Sequence, residues 1–249
     1  MPTYVGIDVY HLSAVDDWNA IKSAVDFVIL KIGQGNGIDG EFNNWSATCE
    51  QIGLPYGGYW FVSSRTVAGA EAEADLCISA LQGKNVKFPI AYDFEPSLTE
   101  QEINDPTVRQ LCCQMCRAFL NKIINAGFIP MLYTNKAYYT TIFQDIVQNE
   151  IHNGTYELWI ARYFGTNATV GLNYPILPNR ENPDDTQTHF ENLGIWQWGY
   201  WNNVPGTHAH MDANIAYKDY GNIFPPHPPY PTYRHKMPLW MMTKKQNIH

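Results

Sequence analysis

Positive charge is scarce in this chain. Only 16 Lys and Arg stand against 24 Asp and Glu over 249 residues, giving a net charge of −8. No basic stripe is available to neutralise phosphates, which argues against nucleic acid as a partner. Long apolar runs are missing too: nowhere do about eighteen apolar residues follow one another, so no membrane-spanning helix is expected. The opening "MPTYVGID" lacks the charged and apolar regions of an export signal. The expectation is a soluble chain that leaves its cell by another route or has had a leader removed.

Cysteine is sparse and odd in number: Cys49, Cys77, Cys112, Cys113 and Cys116. Three of the five crowd into "CCQMC", which argues against a disulfide framework. Without a second His/Cys cluster this run does not supply four tetrahedral ligands, so no metal is expected and Cys112 and Cys116 read as packing residues. A Gly-rich phosphate fingerprint is also lacking after the first strand. "GQGNG" at 33–37 fits a strand-to-helix loop, so neither a dinucleotide nor any other cofactor is expected.

Apolar and aromatic residues are plentiful: 45% of the chain is hydrophobic and 14% aromatic, with sixteen Tyr and eight Trp. That composition is globular and carries more rings than a core requires. "YVGIDVY", "FVILKIG", "YGGYWFV" and "FPIAYDFE" read as strands. "DWNAIKSA", "FNNWSATCEQIG" and "VAGAEAEADLCISALQG" read as the helices between them, the last two closed by Gly53 and Gly83. The next helix is the clearest. Asp105 can cap it, Pro106 holds its first position, and Val108, Leu111, Met115, Phe119 and Ile123 recur at three- and four-residue steps up to Gly127.

"FIPMLYT" then reads as a strand, "AYYTTIFQDIVQ" as a helix and "LWIARY" as a strand, while residues 165–192 show no helical period. "GIWQWGY" and "MDANIAY" complete eight strand candidates against about five helices. The fold class predicted is α/β: an irregular, TIM-like (β/α) barrel of parallel strands over residues 1–224, its last quarter without covering helices. An open doubly wound sheet has the same rhythm, and periodicity does not separate the two. From Pro225 to His249 the chain turns Pro-rich, with four basic residues and no acid, which leaves −12 for the body. It reads as an extended linker or arm able to dock on its own domain, or on a neighbour's in self-association, with a disordered tail as the alternative.

"AYDFEP", residues 91–96, sets two acids in a strand that otherwise reads as buried. Residues i and i+2 share a face, so Asp93 and Glu95 point the same way, roughly 6.5–7 Å apart along the backbone. In a barrel that face is the interior, and catalytic residues gather at the carboxyl ends of the strands. A like charge and partial burial raise one carboxyl's pKa and keep it protonated as a general acid. A pair salt-bridged to distant Arg or Lys is the structural alternative. Asp8 ends the first strand and Asp212 opens a late one, so four acids are placed to converge. Carboxylates, rings and no metal cluster point to glycoside hydrolysis.

The segments "YVGIDVYHLSAVDDW", "FVILKIGQGNG", "PYGGYWF", "PIAYDFE", "PMLYTN", "LWIARY" and "IWQWGYWNNVPGTHAHMDANIAY" together resemble the Chalaropsis-type lysozymes, glycoside hydrolase family 25, over about residues 3–224. The resemblance implies an N-acetylmuramidase that cuts the β-1,4 bond between N-acetylmuramic acid and N-acetylglucosamine in bacterial peptidoglycan. Glu95 resembles the family's general acid, and Asp93 the partner that orients the 2-acetamido group as internal nucleophile. Asp8 and Asp212 match the other two acids. Tyr59, Tyr133, Trp196 and Trp198 stand where aromatic sugar contacts are expected.

The match is not uniform. Tyr10, Leu12, Ser13 and Ala14 interrupt the family's first motif, Trp60 stands where a His is usual, and Gln34 replaces a Glu. These changes bear on the shape of the glycan cleft. The resemblance places the chain's action on the bacterial cell wall, as a phage-type endolysin or a secreted bacteriolytic enzyme. A non-catalytic glycan-binding module on the same fold is the alternative.

Overall fold

Alternation within each strand decides the architecture. The computed structural model describes residues 4–163, 190–201 and 204–222. The chain runs β1 (Tyr4–Val9), α1 (Trp18–Ala24), β2 (Phe27–Gln34), β3 (Gly37–Ile38), α2 (Phe42–Ile52), β4 (Tyr56–Phe61), α3 (Val67–Leu81), β5 (Ile90–Asp93), α4 (Glu100–Asn104), α5 (Pro106–Asn125), β6 (Pro130–Asn135), α6 (Lys136–Thr140), α7 (Gln144–Ile146), β7 (Glu157–Ala161), β8 (Leu193–Trp201) and β9 (Met211–Ala216). Strand order is β1-β9-β8-β7-β6-β5-β4-β2, and pairing of β1 with β2 closes the sheet into a barrel of eight strands.

Two layers follow from the period-two pattern. Odd positions such as Phe27, Ile29, Ala91, Met131, Trp159 and Ile195 fill the barrel. Even positions such as Val28, Leu30, Trp60, Tyr92, Leu132 and Ile160 face outward and pack with the helices. Each fully buried side chain of this size contributes about 1.5–3 kcal/mol. One end of the barrel is plugged: Phe88 stacks on Phe27 at 4.4 Å and meets Tyr220 at 5.3 Å. Gly6 makes room for that plug, because a Cβ there would collide with the Phe27 ring. The open end is therefore the one where the parallel strands finish.

The helices follow local chemistry. Asp105 caps α5 by accepting from Thr107 N at 2.7 Å with Pro106 in the first turn, and α5 buries Met115, Phe119, Ile123 and all three of its cysteines. Gly53 ends α2 in the left-handed conformation at φ 67°. All five cysteines are free and buried. Among the described residues, no helix is long and apolar enough to cross a membrane.

The structure departs from the sequence reading in four places. The barrel is mixed rather than parallel, since β9 runs antiparallel to both β1 and β8. "GQGNG" is not only a loop: Gly37 and Ile38 return as β3 against Gln34 and Gly33 through a turn with Gly35 at φ 57°. The helix expected over "AYYTTIFQDIVQ" is broken into α6, α7 and a π turn at Val147–Ile151. Thr140 and Thr141 hydroxyls bond back to the carbonyls of Lys136 and Ala137 at this break, competing with the helical ladder. Finally α4, opened by a Thr99–Glu102 capping box, has no counterpart in the sequence reading. Most of the Pro/Asn-rich stretch and the whole tail from Pro225 lie outside the described residues.

Candidate active site

The open end of the barrel holds a cavity of about 190 Å³ into which all four acids project. It is smaller than the roughly 300–1,000 Å³ of typical ligand pockets. Asp8 stands near the end of β1. Because β9 is antiparallel, its second residue lands at the same rim, and Asp212 is Asp8's direct cross-strand partner. Asp93 is the last residue of β5 and only 4% exposed. Glu95 lies past the strand's end, on the same face, and stands open to solvent at the mouth. No salt bridge among the described residues engages any of the four.

Their environments separate them. Burial, then the Asp212 charge, pushes Asp8 up to about 7, opposed by hydrogen bonds from Asn214 and Gln197. Those bonds reach Asp8 Oδ2 at 2.7 and 3.0 Å. Burial, then Glu95, raises Asp212 to about 6. Asp93 is driven well above the carboxylate range by burial and then by Glu95 and Asp8, with Lys31 pulling the other way. Its Oδ1 is buried and has no hydrogen-bond partner among the described residues. Glu95 is raised by burial first and Asp8 second; a bond donated by the Tyr133 hydroxyl would oppose this.

Of the four aromatics expected at the site, Tyr59 and Tyr133 line the cavity. Burial, followed by the neighbouring carboxylates, holds both phenols protonated. Trp196 and Trp198 do not line it. Both are buried on the opposite face of β8, packed with Ala213, Ile215 and Tyr217, so neither is placed to meet a sugar. Strand parity explains the difference: in "WQW" the two rings share one side and Gln197 takes the other, which is the interior.

Gln197 and Phe61, Trp159 and Tyr163 are cavity residues that the sequence reading missed. Trp159 meets Tyr133 edge-on at 4.5 Å, and Tyr163 is 40% exposed at the rim. The parity rule that found Asp93 and Glu95 would have found Gln197; for Trp159, flanked by Leu158 and Ile160, the sequence gives no polar partner to mark the inner face. Lys31 was missed as well. It is a lone cation in an apolar strand, at the inward parity of Phe27 and Ile29, with its Nζ 5.2 Å from the Phe61 ring.

Comparisons with known proteins bear on the family and the fold. The profile of "Glycosyl hydrolases family 25" matches residues 7–207. No curated protein sequence matches. Among solved structures, the modular autolysin LytC from Streptococcus pneumoniae superposes with a TM-score of 0.66 at 18% identity, covering 86% of this chain and 47% of that one. The spore cortex lytic enzyme SleM of Clostridium perfringens gives 0.66 at 18% identity, with 86% and 67% covered. The lysozyme from Streptomyces coelicolor gives 0.60 at 17% identity, with 87% and 93% covered. At these identities the likeness shows the fold; the chain spans about half the length of LytC.

Proposed function

The chain belongs to the glycosyl hydrolases family 25 and is a glycoside hydrolase, and on that premise we propose that it is a peptidoglycan hydrolase cutting the β-1,4 bond between N-acetylmuramic acid and N-acetylglucosamine. Glu95 is the general acid. It stands at the mouth, reachable by a glycan, while the acids behind it favour retention of its hydrogen.

The observation that carries the mechanism is Asp93 Oδ1, a buried acceptor without a donor among the described residues. A buried carboxylate oxygen left unpaired is costly. The N–H of a 2-acetamido group would supply the missing bond, and bonding to the charged form would lower the pKa of Asp93. The resulting negative charge, two residues from Glu95, then favours the acid form of Glu95. Substrate binding thus divides the pair into one carboxylate and one acid.

In the first step Glu95 gives its proton to the glycosidic oxygen, the C1–O bond breaks, and the acetamido carbonyl oxygen closes on C1. In the second step Glu95, now a carboxylate, takes a proton from water as the water oxygen attacks C1 and the ring of the intermediate opens. Two displacements return the original configuration. Asp8 and Asp212 supply negative charge beneath a transition state in which positive charge develops at C1. Tyr59, Tyr133 and Tyr163 offer neutral hydroxyls and ring faces to the sugar.

Mass spectrometry of fragments released from purified peptidoglycan tests the reading. N-acetylmuramic acid at every new reducing end is expected; N-acetylglucosamine there would refute the bond assignment.

A further inference from the structure

An indole N–H can donate but never accept. Trp159 on β7 lines the cavity with its ring and donates its Nε1 hydrogen to Asn214 Oδ1 at 2.9 Å. The Asn214 amide therefore has one orientation, with its oxygen toward the indole and its Nδ2 donating to Asp8 Oδ2 at 2.7 Å. Gln197 is the direct cross-strand partner of Asn214 on β8, and its Nε2 donates to the same Asp8 oxygen at 3.0 Å. Asn214 is fully buried and Gln197 is 3% exposed, so bulk water does not replace either donor.

A carboxylate oxygen has two lone-pair sites, and both of those on Asp8 Oδ2 are taken. Asp8 Oδ1 accepts from no side chain among the described residues and is left to the cavity that Asp8 lines. A hydrogen arriving on Asp8 would have to sit on Oδ1, and it would weaken both bonds to Oδ2, because amide donors favour the charged form. We infer that Asn214, locked in direction by Trp159, is a positioning residue that holds Asp8 as an anion with Oδ1 turned to the cavity. The inference rests on the reading of Asp8 as negative charge beneath the cleaved sugar and adds which side chains maintain that charge.

The rest of the surroundings works against the charge. Asp212 on β9 raises Asp8, and Asp93 on β5 and Glu95 just past it are acids that repel it. Tyr59 on β4, Tyr133 on β6 and Tyr163 after β7 are neutral phenols that also feel Asp8, and Lys31 on β2 acts on Asp93. Burial adds to the repulsion and leaves Asp8 at about 7. At that value the loss of one donor decides whether Asp8 is charged at neutral pH.

The test is a carboxyl ¹³C NMR titration of Asp8 in the full chain, with the resonance assigned by its loss in Asp8→Asn. Wild type is compared with Asn214→Leu, which keeps a branched side chain and removes the donor. The ionisation constant of Asp8 is expected to fall about tenfold, moving its midpoint about one pH unit up, since a hydrogen bond to a charged group is lost. The ionised fraction at pH 7 then falls about fivefold. The acidic limb of the pH–kcat/KM profile should move up by the same amount while the alkaline limb stays, a change that loss of packing alone would not produce. A midpoint unchanged or lowered in folded Asn214→Leu overturns the inference.

If Asn214→Leu does not fold, Trp159→Phe decides. It keeps a ring and removes only the hydrogen that fixes the Asn214 amide, which is then free to turn its oxygen toward a protonated Asp8. The Asp8 midpoint is expected to rise by about half a pH unit; an unchanged or lowered midpoint overturns the inference. Both titrations are read without turnover, so a chain that releases no muropeptides sinks the hydrolase reading and leaves this result interpretable.

Discussion

Asp8 and Asp212 face each other across the β1–β9 ladder as direct cross-strand partners. Like charges placed opposite one another destabilise a sheet, and here both carboxyls are also partly withdrawn from water, which raises them to about 7 and about 6 from 3.8. Between about pH 4 and 7 the folded chain therefore holds protons that the unfolded chain has released. Stability falls as pH rises through that window, by at most about 1.4 kcal/mol per pH unit for each extra proton held. Asp212→Asn should raise the melting temperature by a few degrees at pH 7 and change it little at pH 4. An equal gain at both values, or none at pH 7, would show that the pair carries no such strain.

The orientation of β8 separates packing rings from rim rings. Trp196 lies on the outer face with its Nε1 bonded to the Arg162 carbonyl at 2.8 Å, whereas Tyr163 is exposed where the cavity opens. Trp196→Phe should lower the melting temperature and leave KM for soluble wall fragments within about twofold, since it removes a hydrogen bond worth about 1 kcal/mol and some buried area. Tyr163→Ala should do the reverse, raising KM several-fold at unchanged melting temperature. Paired melts and initial-rate curves check both.

Glu73 is a buried carboxylate that ties α3 to the segment after β4. It accepts from the Trp60 indole at 2.8 Å and from the backbone N–H groups of Ser63 and Ser64 at 3.2 and 2.7 Å. Glu73→Ala strands these donors in the core and should cost about 3 kcal/mol or more. Urea unfolding with an unchanged m-value is the measurement, and a loss below about 1 kcal/mol would contradict the assignment.

Stereochemistry reports on Asp93. If its unpaired oxygen receives an acetamido N–H, cleavage passes through two displacements, and the first product detected by ¹H NMR is the β-anomer. Asp93→Asn, which puts a donor or a weaker acceptor at that point, should lower kcat by about 10²–10³ while the fold persists. An α-anomer appearing first would mean direct attack by water.

The rhythm of strands and helices was legible because inward and outward residues alternate so regularly in β2, β5 and β6, and because Asp105, Pro106 and Gly53 punctuate the helices by local chemistry. Strand direction was not legible. Periodicity is identical for parallel and antiparallel strands, so nothing in "MDANIAY" announced that β9 turns back, although that reversal brings Asp212 level with Asp8. The four acids were found because charge in an apolar strand is conspicuous. The tryptophans of "WQW" drew attention by size, where parity should have directed it to Gln197. The break between α6 and α7 depends on Thr140 and Thr141 hydroxyls choosing backbone carbonyls, a competition that a hydrophobic pattern does not register.

The central claim is that Glu95 delivers the proton that breaks a wall glycan. Clearing of purified peptidoglycan by wild type and by Glu95→Gln tests it most directly, provided that matched melting temperatures show both chains folded. The account predicts a loss of about 10²–10⁴ in rate, the usual contribution of a positioned general acid. Equal clearing by the two proteins would contradict it.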